Sequence, residues 1–124
     1  MQTTIMIAVA GLLGTLLRYW LSGFVARQYG ETFPWGTIAV NLIGCLLTGA
    51  VFFVTETRVV MNPTLRMVLL IGLLGGFTTF SSYGLQTFTL LRDGSFGLAI
   101  LNVVTSNTLG LVMVWFGYLV AKAF

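Results

Sequence analysis

The chain has 124 residues, of which 57% are apolar and only 7% are charged. Soluble domains carry about 25% charged residues, so this composition excludes an ordinary globular domain and predicts an integral membrane protein. The net charge is +3, and no Lys/Arg cluster could neutralise a run of phosphates, so nucleic acid is not an expected partner. Histidine is absent, which removes the commonest metal ligand and general base and argues against an enzyme.

Four apolar runs follow one another, and each matches the length of about 20 residues that spans a bilayer. The first, residues 5–25, lacks a preceding basic segment and continues too far for a signal-peptide core. A polar loop with Gly30 and Pro34 separates it from the second run, residues 35–54. Asn62-Pro63 predicts the start of a third helix, with Asn62 or Thr64 as its cap.

The third run, residues 65–91, is interrupted near its centre by a decamer, Gly75-Gly76-Phe77-Thr78-Thr79-Phe80-Ser81-Ser82-Tyr83-Gly84. Two glycines followed by two threonines continue a helix poorly, and an unsatisfied backbone group in hydrocarbon costs several kcal/mol. A break at that depth is tolerated only where protein, water or an ion satisfies the freed groups. The decamer therefore predicts a broken third helix and a polar site inside the membrane.

A tight turn at residues 92–95 precedes the fourth run, residues 96–120. The four crossings occupy the whole chain, so residues 1–124 are expected to form a single all-α transmembrane domain of four helices.

The charges give almost no orientation signal. Four crossings place Arg58, Arg66 and Lys122 on one side of the membrane and Arg27 and Arg92 on the other. Three basic residues against two is nearly no bias by the positive-inside rule. Either the short chain gives a noisy count, or the protein inserts in both orientations and pairs with itself. Four short helices barely enclose a polar pathway, so a partner is expected in both cases.

Polar side chains recur on helical faces. In the second helix, one face carries Thr37, Asn41, Gly44 and Thr48. Helix packing explains Gly44 and Thr48, whereas a carboxamide at mid-membrane must bond a partner or line a wet path, which makes Asn41 a candidate pore residue. Asn107 is the matching candidate in the polar stretch of the fourth helix.

The charged residues favour an anion. Arg18, inside the first run, either snorkels to the interface or places a permanent positive charge at the mouth of an anion route. No acidic residue sits deep in any helix, because Glu31, Glu56 and Asp93 fall in loops or at helix ends. Cation carriers and proton-coupled exporters generally need such a carboxylate, so the chain is poorly suited to either role.

The interrupted helix offers two chemistries. Unwound carbonyls around Gly75 and Thr78 are oxygen ligands suited to a small alkali cation. Phe80 and Tyr83 share a helical face, and the positive edge of an aromatic ring attracts an anion. Both rings could instead be ordinary packing residues. Further hydroxyl donors are supplied by Thr79, Ser81 and Ser82.

Taken together, these motifs resemble the Fluc (CrcB) family of bacterial fluoride channels over the whole chain. The matching segments are Gly36-Thr37-x-x-x-Asn41-Leu42-x-Gly44, Gly75-Gly76-Phe77-Thr78-Thr79-Phe80-Ser81, and Arg18 with its flanking aromatics. The resemblance implies an antiparallel, dual-topology homodimer in the bacterial inner (cytoplasmic) membrane, with two pores that export fluoride passively. The implied partners are therefore a second copy of the chain, fluoride and the lipid bilayer.

The resemblance also implies roles for individual residues. A structural Na⁺ at the dimer centre would be held by the backbone carbonyls of Gly75 and Thr78 from both subunits. The pore positions would be Asn41, Phe80, Thr37 and Asn107, and the vestibule arginine would be Arg18. Two positions depart from the family pattern: Tyr83 stands where a second phenylalanine is common, and Leu111 stands where relatives often carry serine. We place Tyr83 in the pore with Ser81 and Ser82.

Two other functions fit a small protein with four spans. A multidrug-type dual-topology exporter needs a carboxylate in the first helix, and residues 5–25 contain none. A non-transporting assembly factor would use its glycine-rich faces to bind other membrane proteins. Mutation of Asn41 or Phe80 separates these readings, because a pore would fail and a scaffold would keep working.

Overall fold

A computed structural model describes residues 1–58 and 62–124 as helices joined by short loops. Four helical segments are long and apolar enough to cross a membrane, and we call them the first to fourth spans: Gln2–Tyr29, Trp35–Thr57, Pro63–Arg92 and Phe96–Ala123. The prediction of an all-α, multi-pass membrane protein with four spans is confirmed. The loop 55–64, used above to count charges, includes residues 59–61, which lie outside the described residues.

The third span begins and ends as its sequence predicts. Asn62 caps its first turn, since the Asn62 side chain accepts a hydrogen bond of 2.9 Å from the Thr64 amide. At its other end, the chain turns through Asp93 and Gly94, where Gly94 has a φ of 77°, a conformation that glycine adopts without a steric cost.

Within the third span, helical geometry changes several times. An α-helical turn at Pro63–Met67 passes into a π-helical stretch at Val68–Leu74 and a short α-helical piece at Gly75–Phe77. Thr78 and Thr79 then have extended backbones, with ψ angles of 161° and 120°. The helix Phe80–Arg92 follows.

The two parts of the third span have different neighbours. The stretch before Thr78 packs mainly against the first span, whereas Phe80–Arg92 packs mainly against the fourth. The second span lies between them, because it contacts the first span and packs most extensively against the fourth. The extended residues Thr78 and Thr79 thus lie where the third span changes neighbours, close to the second span.

Two glycines allow the second and fourth spans to approach closely. A Cβ atom on Gly49 would overlap the carbonyl oxygen of Val114, and one on Gly117 would overlap that of Leu46. Small residues at such positions let helix backbones meet within a membrane, where association depends on packing. These glycines therefore fix the distance between the two spans.

We expect Gly49→Ala and Gly117→Ala each to destabilise the protein by about 1–3 kcal/mol, because the added methyl groups must push two backbones apart. Denaturation of the purified protein in mixed micelles, followed by circular dichroism, measures the change. Gly97→Ala is the matched control, since among the described residues no atom beyond its own helical turn and chain neighbours lies within 4 Å of the added Cβ. Equal stability of the three variants would contradict the proposed role of the close approach.

Candidate functional site

The side chain of Asn41 pairs with the backbone of Thr79. Asn41 Nδ2 donates to the Thr79 carbonyl oxygen over 3.0 Å, and Asn41 Oδ1 accepts from the Thr79 amide over 2.8 Å. Both partners are half-buried. The carboxamide therefore supplies an acceptor for the amide of the extended residue and a donor for its carbonyl. We call this pair of hydrogen bonds the Asn41 clamp.

The clamp and the adjoining helix cap divert two backbone amides from the carbonyls to which they would donate in a continuous helix. In a continuous helix, the Thr79 amide would donate to the Gly75 carbonyl, and the Ser82 amide to the Thr78 carbonyl. Here the Thr79 amide donates to Asn41, and the Ser82 amide donates to Thr79 Oγ1 over 3.2 Å. Gly75 and Thr78, the two predicted cation ligands, thus lose their usual helical donors.

A first cavity, of about 300 Å³, lies beside the extended residues, and we call it the Phe80 cavity. Its lining comes from the second, third and fourth spans: Asn41, Cys45, Thr48, Thr78, Thr79, Phe80, Tyr83, Ser106, Asn107 and Val114. The Phe80 and Tyr83 rings lie 5.4 Å apart between centroids, at 47° to each other. Phe80 is 81% exposed in the single chain, so the described residues leave most of its surface uncovered.

A second cavity, of about 330 Å³, adjoins the first, and we call it the Arg18 cavity. It is lined by Thr15, Arg18, Tyr19, Ser22, Thr37, Val40, Thr79 and Ser82. Thr79 lines both cavities, and its hydroxyl donates to Ser82 Oγ over 3.0 Å. The clamped residue therefore borders both cavities.

Neither lining contains an Asp, a Glu or a His, and Arg18 is the one fully charged side chain among these lining residues. The other polar side chains in the two linings carry hydroxyl groups, two carboxamides and the Cys45 thiol. A positive charge without a carboxylate beside it favours an anion over a cation in this region. Within the described residues, no group of three or more His, Cys, Asp and Glu side chains could hold a metal ion.

The structure distributes the predicted site residues between these two cavities. The Phe80 cavity contains Asn41, Thr78, Phe80, Tyr83 and Asn107, and the Arg18 cavity contains Arg18, Thr37 and Ser82. Ser81 and Gly75 line neither cavity. Both are exposed on the single chain, although the Ser81 hydroxyl lies 3.4 Å from Thr79 Oγ1.

Thr79 has more roles in the structure than the sequence predicted. From the sequence, it was expected only to supply a hydroxyl donor. It pairs with Asn41, caps the helix Phe80–Arg92 and separates the two cavities. A threonine three residues before a serine, at the start of a helical pattern, is the available signal for the cap. Nothing in the sequence signals the Asn41 contact, which joins residues 38 positions apart.

Asn102 is a buried polar residue that sequence reasoning did not select. Its side chain is 1% exposed, and its Nδ2 donates to Thr87 Oγ1 over 2.8 Å. Its Oδ1 accepts from Ser106, which lines the Phe80 cavity. Asn102 thus links Phe80–Arg92 to the fourth span, and its carboxamide within an apolar helix was the signal that could have identified it.

We expect Asn41→Asp to open the clamp, because a carboxylate oxygen would face the Thr79 carbonyl where an amide donor stands now. The unpaired groups should cost about 1–3 kcal/mol. Hydrogen–deuterium exchange of the segment 75–84 measures this as faster exchange of the Thr79 amide. Thr48→Ala is the control, since within the described part of the chain its hydroxyl bonds only the Gly44 carbonyl of its own helix. Unchanged protection in Asn41→Asp would show that the clamp does not hold the extended residues.

Comparison with known proteins identifies the family of the chain. The family model described as CrcB-like protein, Camphor Resistance (CrcB), matches residues 5–118. A protein of Opitutus terrae named fluoride-specific ion channel FluC is 50% identical over 125 residues, which cover 98% of this chain and 93% of that protein.

Further proteins with the same name show similar agreement. The Citrifermentans bemidjiense protein is 46% identical over 123 residues, with 99% of both chains covered. The Geobacter sulfurreducens protein is 47% identical over 122 residues, with 98% of both covered. These names describe ion channels, not enzymes. The matches extend over nearly the full length of the chain, which therefore belongs to the CrcB-like family of membrane proteins, whose relatives include proteins named fluoride-specific ion channels.

Proposed function

We propose that this protein is a fluoride-selective channel, through which fluoride leaves the bacterial cytoplasm passively across the inner membrane. The observation that carries the proposal is the pair of adjoining cavities, which are lined by Arg18, hydroxyl and amide groups and aromatic side chains but by no carboxylate. The names of the relatives support fluoride as the ion.

The lining groups suit a small, strongly hydrated anion. A channel must replace part of the hydration shell, yet bind weakly enough to release the ion. Ring edges at Phe80 and Tyr83 offer positive electrostatic potential without a formal charge. Asn41 uses one hydrogen of its amide nitrogen in the clamp, so the other can face the cavity. These weak donors replace water in part and do not trap the ion.

Arg18 supplies the long-range attraction. Its permanent charge lines the cavity next to the ring-lined one and raises the local concentration of anions at that mouth. Neither lining offers a carboxylate or an imidazole through which a proton gradient could be coupled. The flow is therefore proposed to follow the electrochemical gradient of fluoride alone.

The pore is proposed to be completed by a second copy of the chain in antiparallel orientation, which gives two pores per dimer. The support is the exposure of Phe80 and Gly75, since a ring and a helical turn central to the site lie uncovered on the single chain. Phe80 and the extended residues lie near the middle of the span Pro63–Arg92, and a central dimer contact there would bury them.

A structural Na⁺ is proposed at the dimer centre. The chemistry of the donor set fits this ion, because the carbonyls of Gly75 and Thr78 have lost their helical donors to Asn41 and Thr79. One chain offers two such oxygens, and a second copy would double the number to a set that suits a small alkali cation. The bound ion would contribute positive potential and hold the two interrupted helices together.

Purified wild-type protein in liposomes should release trapped fluoride and retain trapped chloride. Phe80→Ile should lower the initial rate of fluoride efflux about tenfold, because the loss of the ring edge adds about 1.4 kcal/mol to the barrier. Phe88→Ile is the matched control, since Phe88 belongs to the same helix and lines neither cavity. A fluoride electrode records the efflux. Absence of fluoride efflux, or equal release of chloride, would refute the proposed function.

Replacement of Na⁺ by a large organic cation should destabilise the dimer, because ion binding to the folded dimer stabilises it by mass action. Native mass spectrometry should show fewer pairs of the 13.5 kDa chain, and the thermal midpoint in detergent should fall. In Asn41→Ala, the Thr79 amide is free to return to the Gly75 carbonyl, so the sodium effect should shrink. A midpoint independent of the cation in the wild-type protein would rule out the structural ion.

A further inference from the structure

Asn107 of the fourth span uses both hydrogens of its amide nitrogen in hydrogen bonds to other groups of the chain. Nδ2 donates to the Val103 carbonyl over 2.8 Å and to the Tyr83 hydroxyl oxygen over 3.1 Å. An amide nitrogen carries two hydrogens, so none is left for an ion. The reverse amide orientation would place two acceptor oxygens 2.8 Å apart, which fixes the nitrogen at this position.

Most hydroxyl groups that line the Phe80 cavity also donate a hydrogen bond to another group of the chain. Each of four of them donates to an acceptor of the chain: Thr48 to the Gly44 carbonyl, Thr78 to the Leu74 carbonyl, Thr79 to Ser82 and Ser106 to Asn102. These groups could meet an anion only after breaking an existing hydrogen bond.

Tyr83 is the exception. Its hydroxyl oxygen accepts from Asn107, and within residues 1–58 and 62–124 no acceptor takes its hydrogen. A phenol is both a donor and an acceptor, so the O–H remains available on a half-buried side chain that lines the cavity. Hydrogen bonds from a neutral donor to an anion are about twice as strong as those between neutral groups.

We propose that the Tyr83 hydroxyl donates a hydrogen bond directly to fluoride in the Phe80 cavity, and that Asn107 positions this hydroxyl without touching the ion. The proposal rests on the function proposed above and adds a specificity-determining donor to it. The hydrogen bond from Asn107 holds the phenol oxygen close to the fourth span. Because the oxygen accepts this bond, its own hydrogen does not point at Asn107 and is available to another acceptor. Fluoride accepts hydrogen bonds more strongly than chloride does, so such a donor also favours the smaller halide.

The test is the initial rate of fluoride efflux from liposomes as a function of the internal fluoride concentration. Tyr83→Phe keeps the aromatic ring and removes the hydroxyl donor. The half-saturating fluoride concentration should therefore rise about tenfold, which corresponds to the loss of one charge-assisted hydrogen bond. Tyr118→Phe is the matched control, because Tyr118 packs edge-on against Phe53 and lines neither cavity. It should behave as the wild-type protein does.

Asn107→Ala supplies a second, independent variant. It should raise the half-saturating concentration by a smaller factor than Tyr83→Phe, because the hydroxyl remains but is no longer held. In the Tyr83→Phe background, the same change should have no further effect, since two residues that act through one interaction are not additive. Equal effects of Asn107→Ala in both backgrounds would show that Asn107 acts on the ion by itself and would overturn its positioning role.

An unchanged half-saturating concentration in Tyr83→Phe would overturn the donor role while leaving the channel function intact. Failure of the wild-type protein to release fluoride is a different result, because it rejects the channel function itself before any variant is compared. Size-exclusion chromatography of every variant, with elution at the wild-type volume, restricts the comparison to folded protein.

Discussion

The rest of the site depends on two hydrogen bonds between the Asn41 carboxamide and the backbone of Thr79. A helix interrupted in apolar surroundings leaves amides and carbonyls that water cannot reach, and each costs several kcal/mol if it stays unpaired. A carboxamide carries a donor and an acceptor side by side, which is the complement of one extended residue. An aspartate at position 41 could not satisfy both groups at once, because an ionised carboxylate only accepts hydrogen bonds.

From this clamp follow the features that make a site. Because the Thr79 amide turns to Asn41, the Gly75 carbonyl loses its helical donor, and the cap formed by Thr79 does the same for the Thr78 carbonyl. Since the chain is extended there, the third span leaves the first span and joins the fourth. The Phe80 and Arg18 cavities open on the two sides of Thr79. The clamp and the cap at Thr79 thus account for the freed oxygens, and the extended residue that they hold borders both cavities.

Sequence predicted the fold well and the site in part. Apolar runs and their loops located the four spans, and Asn62-Pro63 located the cap of the third, because these signals are local. The partner of Asn41 was not predictable, since it depends on a contact between two spans. The assignment of Ser81 to the pore stays a prediction, although its side chain lies outside both cavities, because helix phase depends on where Phe80–Arg92 begins.

Tyr83 shows how a departure from the family pattern can be read physically. A phenol in an apolar span needs a partner for its hydroxyl, whereas the Asn107 amide already donates to the Val103 carbonyl of its own helix. Asn107 also donates to the Tyr83 hydroxyl oxygen over 3.1 Å, and no acceptor within the described residues takes the phenol hydrogen. The tyrosine and the polar position in the fourth span are therefore best understood as one unit. Since the pairing joins residues 24 positions apart on different helices, either residue considered alone in the sequence looks like an isolated anomaly.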